Sequence, residues 1–170
     1  MIQKCSIMVI LEVFFKEPIA IHFIREISKR VKLAPTSVRN HLKELEKEGL
    51  IKKKSARPFD GFIADRENEK FIYYKQAYNF YSLYKLRNEI KRSLHPQTAI
   101  VFGSYARGED REDSDIDILI ISKIKKDLKL KKHEDELERK IHITIVNSID
   151  QLDKGIKKNI LNGWVIEGEI

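Results

Sequence analysis

Cysteine occurs once in the 170 residues, at Cys5, so no disulfide can form within the chain and a reducing compartment is expected. With one cysteine and five scattered histidines, no zinc-ligand spacing is present in the sequence. No apolar run approaches the length of a membrane span. The opening "MIQKCSIMVILEVFF" is broken by Lys4 and Glu12 and lacks a small-residue cleavage site. Neither a membrane segment nor a leader is expected, and a cytoplasmic protein is. Only seven glycines and four prolines interrupt the chain, so each marks a particular place.

Charge is abundant, at 35% of residues, but unevenly placed. Residues 1–92 hold 20 Lys/Arg against 11 Asp/Glu, a balance of +9; residues 93–170 hold 13 against 15, a balance of −2. A basic half joined to a slightly acidic half predicts two domains with different partners, the first a polyanion.

In the basic half, Ile24, Ile27 and Val31 form the apolar stripe of one helix. After the short "KLA", Pro35 suits the first turn of a second helix, Val38, Leu42 and Leu45 repeat at helical spacing, and Gly49 caps it. The polar face of that second helix carries Thr36, Ser37, Arg39, Asn40 and Lys43. "LIKKK" and "KFIYYK" read as antiparallel strands around a long wing that contains Arg57, Pro58 and an Asp60-Gly61 turn. The pattern resembles winged helix-turn-helix regulators over residues 5–75, with "LKELEKEGLI" in the register of a recognition helix. Such a helix lies in the major groove of DNA. Arg39 and Asn40 would then face base edges, with Lys43, Lys52, Lys53 and Arg57 on phosphates. A solvated basic face, or a winged helix that docks protein, is the competing reading.

Residues 74–93, "YKQAYNFYSLYKLRNEIKRS", read as one connecting helix with two apolar stripes: Phe80, Leu83, Leu86 and Ile90 on one, Tyr74, Tyr78 and Tyr81 on the other. Packing between domains, or a homodimer through this helix, would use both. His95-Pro96 ends it.

The acidic half begins with a strand, "TAIVF", a Gly103-Ser104 turn, a short helix "YARG", the acidic loop "EDREDS" and a second strand "DIDILIIS". A third strand "KIHITIVN", a helix from Ser148 with a Ser148/Gln151 capping box, and a final strand "GWVIEG" follow. Alternate strand residues share a face, so Asp115 and Asp117 point together, about 7 Å apart, while Ile116 and Ile118 face the core. Two such carboxylates suit a hard cation, with Mg²⁺ usual where phosphate completes the shell. The turn at Gly103 and Ser104 opens a helix whose free N–H groups suit an anion. The expected class is α+β, with residues 1–75 a winged helix, 76–94 a linker helix and 95–170 a mixed-sheet domain.

Gly-Ser, ten residues, then Asp-x-Asp, within "FGSYARGEDREDSDIDILI", is similar nearly throughout to the minimal nucleotidyltransferases of the polymerase-beta superfamily. The resemblance implies a mixed sheet with flanking helices, Gly103, Ser104 and Arg107 on nucleotide, Asp115 and Asp117 on Mg²⁺, and an NTP, ATP first, as donor. It also implies an antitoxin-like setting, because minimal members adenylylate a tyrosine of a partner toxin. Active members carry a third carboxylate on the next strand. Here that position falls on His142, with Thr144 next on the same face. A neutral imidazole accepts a proton but is a poor Mg²⁺ ligand. Three functions therefore stand: a transferase in which His142 assists deprotonation, a DNA-binding regulator whose second domain only binds nucleotide, and a docking module of a toxin–antitoxin pair.

Overall fold

A computed structural model describes residues 5–160 and 162–169. It divides into two compact units, Met1–Lys75 and Gln76–Ile170.

The first unit begins with α1 (Ser6–Lys16), whose Ile10, Leu11, Val13, Phe14 and Phe15 are buried. Helices α2 (Ile24–Val31) and α3 (Pro35–Lys47) follow. Lys32 adopts the left-handed conformation between them, and Pro35 fills the first position of α3, where no N–H is needed. Val38, Leu42 and Leu45 are buried, and Gly49 at φ +71° ends the helix as the spacing requires. The winged arrangement is completed by β1 (Ile51–Lys54) paired antiparallel with β2 (Gly61–Ala64), and His22 bridges to Phe62 on the outer side.

The strand expected at "KFIYYK" is a helix. The second wing strand is Gly61–Ala64, inside the stretch read as wing, and the loop between the strands is only residues 55–60. "KFIYYK" belongs instead to α4 (Glu69–Ser82), with Asn68 Oδ1 accepting from the Lys70 and Phe71 amides at its start. Phe71 and Lys75, four apart, are its buried positions in the first unit, which is helical spacing.

The single helix expected over 74–93 is two, α4 and α5 (Tyr84–Leu94), broken at Leu83. The Ser82 hydroxyl donates to the Asn79 carbonyl, and the Leu83 amide bonds to Phe80 three residues back, which tightens the last turn and stops it. Leu83, Leu86 and Ile90 are buried as expected, but Phe80 is 51% exposed, its ring edge against Trp164. Tyr74 and Tyr81 are exposed.

The second unit is a four-stranded mixed sheet in the order β5-β4-β3-β6. Its strands are β3 (Thr98–Phe102), β4 (Ile116–Ile121), β5 (Ile141–Val146) and β6 (Trp164–Gly168). β3 runs antiparallel to β4 and β6, and β4 parallel to β5. Helix α6 (Gly103–Arg107) follows β3 directly, and α7 (Lys131–Leu137) precedes β5. α5 packs on one face of the sheet over Val101, Ile116, Ile118, Ile120 and Ile141. Ile100 and Leu119 face the other side, under Leu152 and Ile160. Ile160 ends α8 (Lys154–Ile160).

The helix expected from Ser148 is a single 3-10 turn, Ile149–Gln151. Ser148 caps it by accepting from the Asp150 amide, but the Gln151 side chain accepts from Asn147, one residue before the position a capping box requires. Among the described residues no helix is long and apolar enough to cross a membrane.

Candidate active site and nucleic-acid interface

β4 is buried along its length except at Asp117, the one polar residue in "IDILII". Ile116, Ile118 and Ile120 face α5, so Asp117 and Asp115, just before the strand, share the opposite face. Further along that face Leu119 is covered, and the end near Asp117 is left open. The parallel register sets Asp117 beside His142. His142 Nε2 lies 3.1 Å from Asp115 Oδ2, with His142 67% exposed. Thr144 is exposed on the same face.

Gly103 sits across the β3–β4 ladder, one residue after Phe102, which pairs with Asp117. Its φ of +77° requires a residue without a Cβ, and a Cβ built there would stand 2.8 Å from Asp117 Oδ2. Gly103, at the start of α6, therefore lies against the Asp117 carboxylate. Burial pushes the Asp117 carboxyl above the usual carboxylate range; His142 opposes the shift and Asp115 adds to it.

A divalent cation fits this donor set. A half-buried carboxylate that burial disfavours as an anion, a second carboxylate on the same face and an open side for phosphate oxygens are what a hard cation takes. Asp115 and Asp117 would hold it, and it would supply charge neutralisation at phosphate. His142 is engaged with Asp115.

Arg107 closes α6 with its Nε on Glu109 Oε2 at 2.8 Å, half-exposed. Its carbonyl accepts from Gln76 Nε2. Beneath α6 is a buried polar set that sequence reasoning missed. Asn79 Nδ2 donates to the Tyr105 carbonyl and to Asp110 Oδ1, both at 2.8 Å. Asp110 Oδ2 lies 3.6 Å from Arg139, and the Tyr105 hydroxyl meets Ser82 at 2.8 Å. Asp110 belongs to the acidic loop "EDREDS"; nothing local marks it as 1% exposed. The Ser114 hydroxyl accepts from the Arg111 amide and shapes the turn that delivers Asp115. A cleft of about 420 Å³ opens beside Asp115, lined in part by Asp113, Glu134, Asp135 and Glu138.

In the first unit, Thr36, Arg39, Asn40 and Lys43 are exposed and Ser37 half-buried, on the side of α3 away from Val38, Leu42 and Leu45. Arg57 is exposed in the wing loop. Lys52 and Lys53, expected on phosphate, are engaged within the unit, by Asp65 at 3.0 Å and Glu46 at 3.6 Å.

The profile of the nucleotidyltransferase domain family matches residues 83–166, and that of the winged helix-turn-helix DNA-binding family matches residues 24–52. A "putative protein adenylyltransferase" of Methanocaldococcus jannaschii is 41% identical over 87 aligned residues, which take in 44% of this chain and 90% of that protein. A second protein of that description from the same organism is 47% identical over 38 residues, 22% of this chain and 44% of that protein. A relative matched over nine-tenths of its length, on a mixed sheet with this geometry, shows that the chain belongs to the nucleotidyltransferase domain family and carries a winged helix-turn-helix DNA-binding domain ahead of the transferase domain.

Proposed function

We propose that the chain transfers a nucleoside monophosphate from an NTP, ATP first, to a protein hydroxyl, with pyrophosphate released. The contact of Gly103 with Asp117 carries this reading: the phosphate-facing turn and the carboxylate of the Asp-x-Asp pair are built against one another. The relatives' name supports adenylyl transfer to protein. Gly103 and Ser104 hold the triphosphate, with Arg107 at its edge. Asp115 and Asp117 hold Mg²⁺, which offsets charge at the phosphates. His142 donates Nε2–H to Asp115, and its Nδ1 takes the proton of the attacking hydroxyl. The new bond joins that oxygen to the α-phosphorus; the bond to the β-phosphate oxygen breaks, and its electron pair leaves with pyrophosphate.

Residues 1–75, 76–94 and 95–170 serve as DNA-binding domain, linker and transferase domain in this reading, in a cytoplasmic protein. The exposed rings of Phe80 and Tyr81 support a protein partner, toxin-like, or a homodimer at the linker. Incubation with α-labelled ATP and Mg²⁺, alone and with the product of the adjacent gene, tests the activity. Label passes to protein and is lost in Asp115→Asn and in Asp117→Asn; transfer that survives both refutes the assignment.

A second reading, a DNA-binding regulator that senses nucleotide without turning it over, is favoured by His142 in place of a third carboxylate. ATP would then shift the affinity for the gene's upstream DNA with no label transferred.

A further inference from the structure

Glu17, His22 and Glu26 bring three ligand atoms to one place in the winged-helix unit. His22 is 1% exposed, with Phe14 edge-on to its ring at 5.0 Å. Its Nε2 lies 3.0 Å from the Glu17 carbonyl. A carbonyl only accepts, so Nε2 donates to it, which leaves Nδ1 as the ring atom that can take a metal. Nδ1 faces Glu26 Oε1 at 3.3 Å and Glu17 Oε2 at 3.9 Å. The second oxygen of each carboxylate is held elsewhere: Glu17 Oε1 by Arg30 at 2.6 Å, Glu26 Oε2 by the Phe23 amide at 3.3 Å. Each glutamate is thus anchored by one oxygen and turned toward the imidazole by the other. The three donor atoms lie within 4.8 Å of one another, the one such trio among the described residues.

We propose that Glu17 Oε2, His22 Nδ1 and Glu26 Oε1 form a binding site for a borderline divalent cation, Zn²⁺ first. One imidazole and two carboxylates make a donor set that zinc accepts and that Mg²⁺ and Ca²⁺, which take oxygen throughout, do not favour. Tetrahedral bonds of about 2.0–2.1 Å space ligand atoms roughly 3.4 Å apart, so a small closure of the glutamates completes the set. Their partial exposure leaves the outer side open to a water as fourth ligand. The bond from Nε2–H to a backbone carbonyl is the outer-shell contact that orients a metal-binding histidine.

The trio ties together the parts that present α3. Glu17 follows α1, and Glu26 caps the start of α2. His22 pairs with Phe62 of β2 through two backbone bonds of 2.8 and 2.9 Å. An ion here would brace α1, α2 and the wing as one, and DNA affinity would follow ion occupancy.

The test uses the full chain carrying Asp115→Asn and Asp117→Asn, which removes the candidate Mg²⁺ ligands of the other unit from competition. Titration with Co²⁺ is expected to give one equivalent per chain with visible absorption bands, and Zn²⁺ to displace it. Glu17→Gln or Glu26→Gln, each keeping an anchoring oxygen, should fold and weaken Co²⁺ binding at least about ten-fold. Zn²⁺ should raise Tm in the parent and not in these variants. No uptake at neutral pH would overturn the proposal. Equal uptake by the glutamine variants would place the ion elsewhere and overturn it as well.

Discussion

Asp117 is half-buried, and burial pushes its carboxyl above the usual range, against a smaller opposing pull from His142. A carboxyl whose folded pKa is raised contributes stability below its unfolded pKa and loses that contribution as pH rises through the folded one. At neutral pH the ionised group therefore opposes folding until a cation meets it. Asp117→Asn is expected to raise Tm at neutral pH without divalent ions, with the advantage fading toward strongly acidic pH, as calorimetry over a pH series would read. Mg²⁺ should narrow the gap by stabilising the parent alone; a lower Tm for Asp117→Asn at every pH would contradict the account. The placing of Asp115 and Asp117 on one face was legible because strand alternation is a local rule; His142 beside them was expected only from the family resemblance, because an inter-strand register is not local. The contact between Gly103 and Asp117 was not, because a glycine in sequence announces a permitted φ and says nothing of what lies opposite. The Glu17–His22–Glu26 trio was equally hidden: its members straddle a helix end and a β-bridge, and no ligand spacing describes that path.

α3 shows how far an element can be read. Its ends were marked by Pro35 and Gly49 and its buried side by Val38, Leu42 and Leu45, all rules acting within a few residues. What it offers to DNA separates by side chain. Lys43→Ala should weaken binding alike across sequences and lower the slope of log affinity against log salt by about 1. Arg39→Ala should cost about 1–3 kcal/mol on the preferred site and relax preference at one position. Shift assays at two salt concentrations separate the cases, and an unchanged slope in Lys43→Ala would remove it from the phosphate set. "KFIYYK" went the other way. Its aromatics favour a strand in isolation, but burial of Phe71 and Lys75 on one side made it helix, a tertiary choice over a weak local preference. The break at Leu83 likewise depends on Ser82, whose hydroxyl also meets Tyr105, 23 residues away.

Across the transferase unit, the contacts among Asn79, Tyr105, Asp110 and Arg139 join α4, α6, the acidic loop and the entry to β5. Such groups are costly to leave half-satisfied, so Asn79→Ala should destabilise by about 2–4 kcal/mol, read by denaturant unfolding. A cost near zero would show that water replaces both bonds. None of this was legible, because every partner is distant in sequence; the swing in charge, counted at residue 92, does not fall where the units divide, at Lys75 and Gln76. That division falls inside α4, not in a loose stretch of chain. Proteases cut where backbone is exposed and unstructured, and a helical junction offers them little. On the reading proposed above, a cut that frees one domain from the other is disfavoured, and a DNA site filled by this protein also carries its nucleotidyltransferase domain.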